Sequence, residues 1–218
     1  MRNVNLRNSI FMIVALSGGI WFVLALISGL DLSNAGDFFR LIPNVVSIDL
    51  VFIILFVKWG WKFKIFRGWI VPYPNLNGSW VGFIHSNWIY PETGKGLAPI
   101  PTMLTIKQTF FNISCVIYTG EMKSYSFLEG FVISPERQLK QLSYVYTSKP
   151  SLKVSDRSSP HDGTVLFDIV EKPKLKLNGR YWTDRKTTGE IKLEFESRKI
   201  LEELPERFGK HPLENVYF

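Results

Sequence analysis

The sequence predicts two transmembrane α-helices at the N-terminus joined to an all-β domain, an eight-stranded antiparallel up-and-down β-barrel. Three observations carry this expectation. No charged residue occurs from Ile10 to Leu30, a second apolar run extends from Phe38 to Val57, and beyond Gly78 short strand-like runs alternate with turn residues. The first two match the roughly 20 residues that a helix needs to cross a bilayer, and the third matches sequential antiparallel strands.

The first helix is expected over about residues 10–30, with Ile10 to Leu16 and Ile20 to Ile27 as its apolar body. A cleaved signal peptide competes for this segment, since Arg2 and Arg7 supply a positive start. The apolar stretch is longer than a usual signal core, and no small-x-small cleavage site follows before Asp31, so the second apolar run favours a helical hairpin. The second helix is expected over about residues 41–57. Asp49 lies within it, and a carboxylate at membrane depth costs a few kcal/mol unless it faces protein or water. Two readings of Asp49 stand side by side: a membrane-function residue that joins helices or lines a pore, and a snorkelling carboxylate at a helix that starts later. Arg2 and Arg7 before the first helix, and Lys58, Lys62, Lys64 and Arg67 after the second, place both termini in the cytoplasm. Trp59, Trp61 and Trp69 interleave with those cations as an interfacial belt, so residues 1–71 form the hairpin with its basic juxtamembrane segment.

Pro72, Pro74, Asn75, Asn77 and Gly78 form a linker into a domain spanning residues 72–197. Eight strands are expected: Ser79 to Trp88, Thr102 to Thr109, Asn112 to Thr119, Ser124 to Ile133, Gln138 to Thr147, Thr164 to Val170, Leu175 to Thr183 and Glu190 to Glu196. Turn chemistry separates them at Phe111-Asn112, Gly120-Glu121, Ser134-Pro135-Glu136, Asp162-Gly163, Lys172-Pro173 and Thr188-Gly189. Closure of such strands into a barrel removes exposed edges and leaves room for one small ligand, while a β-sandwich is the alternative. Residues 198–218 form a charged tail, read as a short helix or as disorder, whose last residues Glu214 to Phe218 resemble part of a protease tag site.

The formal charge of +7 is compatible with a nucleic acid, an anionic membrane surface or a soluble anion, and equally with cytoplasmic flanks that collect Lys and Arg for orientation alone. The single cysteine, Cys115, excludes an intrachain disulfide and sits in an apolar strand run as an inert thiol. His85, His161 and His211 lack metal-ligand spacing, and there is no phosphate loop, H-E-x-x-H or G-x-S-x-G motif. The chain is therefore not read as an enzyme, and no metal or cofactor is expected.

Along a strand, residues two apart share a face, so Tyr144 and Tyr146 point together, as do Tyr181, Thr183 and Arg185. Rings beside a guanidinium and hydroxyls suit a nucleotide; the bland reading is that they fill the barrel and Arg185 sits in a solvated turn.

The elements Leu76-Asn77-Gly78-Ser79-Trp80-Val81-Gly82, Leu104 to Thr109, Leu142-Ser143-Tyr144-Val145-Tyr146, and Leu177-Asn178-Gly179-Arg180-Tyr181-Trp182-Thr183-Asp184-Arg185 with Thr188-Gly189-Glu190-Ile191 carry a resemblance. Together they resemble the CD-NTase-associated protein 15 family of bacterial CBASS antiphage effectors, over nearly the whole chain. That resemblance implies that residues 72–197 sense a cyclic dinucleotide supplied by a partner nucleotidyltransferase. Binding then drives self-association in the bilayer of the bacterial inner membrane, membrane disruption and death of the infected cell. It implies no nucleic acid polymer as partner. The ligand-binding candidates are Tyr144, Tyr146, Tyr181, Thr183 and Arg185, with Trp80 and Gln108 as further pocket-lining residues. A membrane-tethered barrel carrying a lipid is the competing reading, and Lys107, Arg180 and Arg185 favour the nucleotide only if one of them faces inward.

Overall fold

The computed structural model describes residues 5–30, 34–90, 93–156 and 158–213, and the chain forms two compact units, Met1–Pro74 and Asn75–Phe218. Arg2, Asp31 and Glu214 to Phe218, on which expectations were placed, lie outside the described residues.

In the first unit, helix α1 spans Leu6–Ser28. It begins before the uncharged run because the Asn5 side chain accepts a hydrogen bond from the N–H of Asn8 at 3.3 Å, which caps an otherwise unsatisfied donor. It ends where Gly29 turns left-handed with φ 62° and returns its N–H to Ala25. Helix α2 (Ala35–Arg40) starts from Asn34, whose side chain accepts from Gly36 N–H at 2.9 Å. Leu41 links it to helix α3 (Ile42–Lys58), whose Pro43 occupies the first turn, where a missing N–H leaves no helical bond unmade.

Leu6–Ser28 and Ala35–Lys58 are each long and apolar enough to cross a membrane, with only 6 % and 11 % of their apolar windows buried by protein. Exposed Phe11, Phe22, Ile27, Val51 and Ile54 are therefore without protein cover, which marks a membrane-associated hairpin. The helices meet through buried Ala25, Leu41 and Val45, and Trp21 stacks on Phe38 at 4.2 Å. Asp49 is on α3, and its Oδ2 accepts from Ser17 Oγ of α1 at 2.7 Å, so its carboxylate bridges the two helices. After α3, Lys58 lies 4.7 Å from the Trp59 ring and Lys62 5.8 Å from that of Trp61.

The second unit is a closed antiparallel barrel in simple sequential order: β1 (Gly78–Ser86), β2 (Ile100–Gln108), β3 (Ile113–Thr119), β4 (Met122–Ser134), β5 (Leu139–Pro150), β6 (His161–Val170), β7 (Lys176–Thr183) and β8 (Thr188–Ser197). Closure comes from β1 pairing with β8, from Ser79 opposite Ser197 to Ser86 opposite Gly189. All eight expected strands form, and the sandwich alternative does not. Asp162-Gly163, expected as a turn, lies instead inside β6, where Gly163 pairs with Tyr146 on one side and Thr183 on the other. The dipeptide has turn chemistry, but this glycine answers a packing demand: a Cβ there would sit 2.5 Å from the Tyr146 ring.

Inward side chains of every strand build one core. It holds Trp80, Leu104, Ile106, Leu142, Tyr144, Phe167, Leu177 and Leu193. At one end the barrel is sealed: Trp80 is fully buried, packs edge-on against Phe195 at 5.3 Å and donates from Nε1 to the Leu76 carbonyl at 3.0 Å. Of the tail after β8, expected as a short helix or as disorder, the described residues 198–213 are tied to β1 and hold one short helical turn. The Ser79 hydroxyl holds it through Lys199 O and Leu201 N–H, it forms a single 3₁₀ turn at Glu206–Phe208, and it continues to His211. Trp80→Ala should destabilise the barrel by about 3–5 kcal/mol, the usual loss for an aromatic removed from a sealed core, read as a lower thermal midpoint of the β-sheet dichroism of the detergent-solubilised chain.

Candidate ligand-binding site

The end of the barrel opposite Trp80 carries a cavity of about 380 Å³, within the range of roughly 300–1,000 Å³ of small-molecule sites. The strand ends define it: Ser86 closes β1, Ile100 opens β2, Thr119 closes β3, Met122 and Ser124 open β4, His161 opens β6, and Thr183 closes β7. Ile84, Ile117, Val165 and Ile191 form apolar walls, and hydroxyls ring the mouth.

Four of the expected ligand residues meet here: Tyr146, Tyr181, Thr183 and Arg185 all line the cavity. Tyr146 on β5 lies over Gly163 of the neighbouring strand, and Tyr181 on β7 lies over Gly189 of β8, so each ring occupies space left by a missing side chain. Burial raises the pKa of both phenols above the ordinary value, so both keep their protons at neutral pH. Thr183 Oγ1 lies 2.7 Å from Thr187 Oγ1 across the β7–β8 turn, where Lys186 takes a left-handed φ of 62°. From that turn Arg185 donates to Ser158 Oγ at 3.2 Å and to the Ser159 carbonyl at 3.3 Å. It is exposed as well as cavity-lining, so its guanidinium stands at the rim. Of the three cations weighed for an inward position, Arg185 is the one at the cavity. Lys107 is exposed, and Arg180 sits on the outer wall beside Trp182, Glu190 and Lys192.

The other expected residues are elsewhere. Tyr144 shares a strand face with Tyr146 but lies one pair deeper, 2 % exposed, its hydroxyl without a hydrogen-bond partner among the described residues. Trp80 and Gln108 belong to the sealed end: Gln108 Oε1 accepts from the Leu76 N–H at 2.7 Å, completing the plug rather than lining the cavity.

Sequence reasoning passed over five lining residues, from three places in the chain. His161 pairs with Ser148 across the β5–β6 ladder and faces the cavity, with its Nδ1 3.3 Å from Ser159 O. Trp88 and Leu97 come from the β1–β2 connection. His211 and Leu213 arrive from the tail, and His211 Nδ1 lies 3.0 Å from Glu121 Oε1, both side chains nearly buried. Strand parity with Tyr146 would have reached Ser148 and, across the ladder, His161. Nothing local points to His211.

Burial first, and the Arg185 charge second, lower the pKa of His161 below 6.5. Its neutral form therefore favours the folded state. That contribution is complete above about pH 6.5, the unfolded value, and is lost as pH falls through the lower folded value. Arg185→Ala should raise the His161 pKa toward 6.5, checked by the pH dependence of its imidazole NMR shifts. Gly163→Ala should crowd both the Tyr146 ring and the Trp182 carbonyl, 2.5 and 2.9 Å from the added Cβ, read as altered Tyr146 ring shifts, weakened ligand binding and a lower thermal midpoint.

Residues 71–194 match the family described as Cap15, cyclic dinucleotide receptor domain. Over 174 residues the chain is 24 % identical to CD-NTase-associated protein 15 of Staphylococcus schleiferi, covering 80 % of this chain and 88 % of that protein. The family match covers more than half of the chain and the whole of the eight-stranded barrel up to the middle of β8, so the protein belongs to the Cap15 family of cyclic dinucleotide receptor domains.

Proposed function

We propose that this chain is a CBASS antiphage effector whose barrel binds a cyclic dinucleotide made by a partner nucleotidyltransferase. In this reading the helices lie in the bacterial inner membrane with both termini cytoplasmic, and ligand binding drives the copies to assemble and disrupt that membrane. The chain acts as a receptor, not as an enzyme.

The observation that supports it is the meeting of Tyr146, Tyr181, Trp88, Thr183, His161 and Arg185 at one cavity. Two bases need flat apolar surfaces, which the rings and isoleucines offer; stacking on such rings contributes about 1–3 kcal/mol per base. A phosphate needs a cation and donors, and Arg185 stands at the rim beside the Thr183 and Thr187 hydroxyls. Both phenols are neutral and donate rather than repel an anion. The apolar walls also suit a fatty acid, whose carboxylate Arg185 would meet, and this is the second reading.

The test is calorimetric titration of the full chain in lipid nanodiscs with cyclic di-AMP, cyclic di-GMP, cyclic di-UMP and oleate. One dinucleotide should bind selectively. Arg185→Ala should weaken it by about 10- to 100-fold, the loss of a charge-assisted hydrogen bond of about 1.5–3 kcal/mol, and Trp182→Ala on the outer wall should change it little. Binding of oleate with no dinucleotide bound would replace the sensor by a lipid carrier.

A further inference from the structure

The chain after β8 runs from the sealed end of the barrel to its open mouth. Ser79, at the start of β1, donates from its hydroxyl to the Lys199 carbonyl at 2.8 Å and accepts the Leu201 N–H at 3.0 Å, and Arg207 bonds to Glu196 of β8. Gly209 then takes a positive φ of 89° beside Pro101 at the start of β2. His211 seats on Gly120 in the β3–β4 turn, where an added Cβ would come within 3.1 Å of its own. This strap reaches the mouth there, and His211 and Leu213 line the cavity together with Glu121.

Glu121 is a problem for an anion site. Among the described residues that line the cavity it is the one carboxylate, Arg185 is the one guanidinium, and no lysine accompanies them. A cyclic dinucleotide brings two phosphate charges, so an unbalanced carboxylate at the mouth would cancel Arg185 and repel the ligand. The carboxylate cannot simply withdraw, because its backbone is pinned: the Glu121 N–H donates to Thr119 Oγ1 at 3.3 Å and its carbonyl accepts the Ser151 N–H at 2.8 Å. His161 does not offset it, since burial and Arg185 keep that ring neutral. His211 does, with Nδ1 3.0 Å from Glu121 Oε1 and the two side chains only 7 % and 10 % exposed. A net charge on so buried a pair is costly, which favours one shared proton. On His211 it gives an imidazolium against a carboxylate; on Glu121 it gives a carboxylic acid donating to a ring nitrogen that also takes the Leu213 N–H at 3.2 Å. Both arrangements leave the pair neutral.

We propose that the strap completes the ligand site, with His211 neutralising Glu121 so that the mouth accepts a phosphate. His211 acts through Glu121 and is a positioning residue for charge, not a direct phosphate ligand. The inference rests on the proposed dinucleotide sensing and names the residue that makes the cavity tolerant of an anion.

The test is a double-mutant cycle at Glu121 and His211 in the full chain in lipid nanodiscs, titrated calorimetrically with the three cyclic dinucleotides above and with oleate. His211→Gln keeps a donor for the Glu121 carboxylate but no positive charge, so the strap stays latched. It should weaken dinucleotide binding by about 10- to 100-fold, the effect of an unbalanced charge a few ångströms from a phosphate. Adding Glu121→Gln removes the repulsion and should recover at least about five-fold of that loss, which a purely structural latch would not do. His211→Ala, with and without Glu121→Gln, repeats the cycle with no hydrogen bond between the two positions, and the same recovery is expected. Binding by His211→Gln within about three-fold of the unmodified chain, or a loss that Glu121→Gln leaves unrepaired, would overturn the charge balance while the sensor reading stands. Oleate bound in place of every dinucleotide would sink the sensor reading, and the same cycle read on the oleate carboxylate then decides the charge balance. Binding of neither ligand class would overturn both.

Discussion

The arrangement depends first on how the backbone of Leu76 is held. Its N–H is taken by Gln108 Oε1 and its carbonyl by Trp80 Nε1, both bonds buried. A buried peptide group left unsatisfied costs about 1–3 kcal/mol, so these two side chains are what permits the chain to cross the end of the barrel at all. Leu76, Trp80 and Phe195 pack together at that end, and the cavity lies at the opposite mouth. Residues near the plug are thereby packing residues, whatever their chemistry.

This explains what the sequence disclosed and what it hid. Alternation in β5 and β7 is strict, so the face on which Tyr146, Tyr181 and Thr183 lie was legible from spacing alone. Height along the barrel axis was not. Trp80 and Gln108 face inward as Tyr146 does, yet they stand at the other end, because period two reports a face and says nothing about which strand end meets the mouth. Tyr144 and Tyr146 show the same limit within one strand: both are buried, at 2 % and 6 % exposure, yet only Tyr146 lines the cavity. His161 was hidden by composition, since Asp162-Gly163 reads as a turn and shortened the expected strand. His211 was hidden by distance, because its partner Glu121 is ninety residues away in sequence and only the path of the tail brings them to 3.0 Å.

The helical unit shows a different economy. Asp49 would be costly in hydrocarbon, and the sequence offered no way to choose between a functional and an incidental carboxylate. The Ser17 hydroxyl at 2.7 Å gives it a partner on the neighbouring helix, which ties α1 to α3 by a polar contact where apolar side chains have little reason to prefer each other over lipid. Interhelical hydrogen bonds of this kind average about 0.6 kcal/mol, so the bond orients the hairpin more than it stabilises it.

A ligand shifts an assembly only by binding two arrangements unequally, and that requires a physical element shared by the pocket and the contact surface. Strand β4 runs from the cavity mouth to an exposed apolar stretch. Its first residues, Met122 and Ser124, line the cavity, and Ser124 is tied to Ser148 of β5 by a 2.9 Å hydroxyl pair. Its later residues Leu128 and Val132 are exposed. Between them lies the bulge at Ser126, where a side chain stands in for one rung of the ladder and where the strand is least constrained by its neighbour. Seven of the eight strand pairs in the barrel run on unbroken or nearly so, and each would resist a small displacement along its whole length. The β3–β4 seam is held over three rungs, fewer than any other strand pair of the barrel.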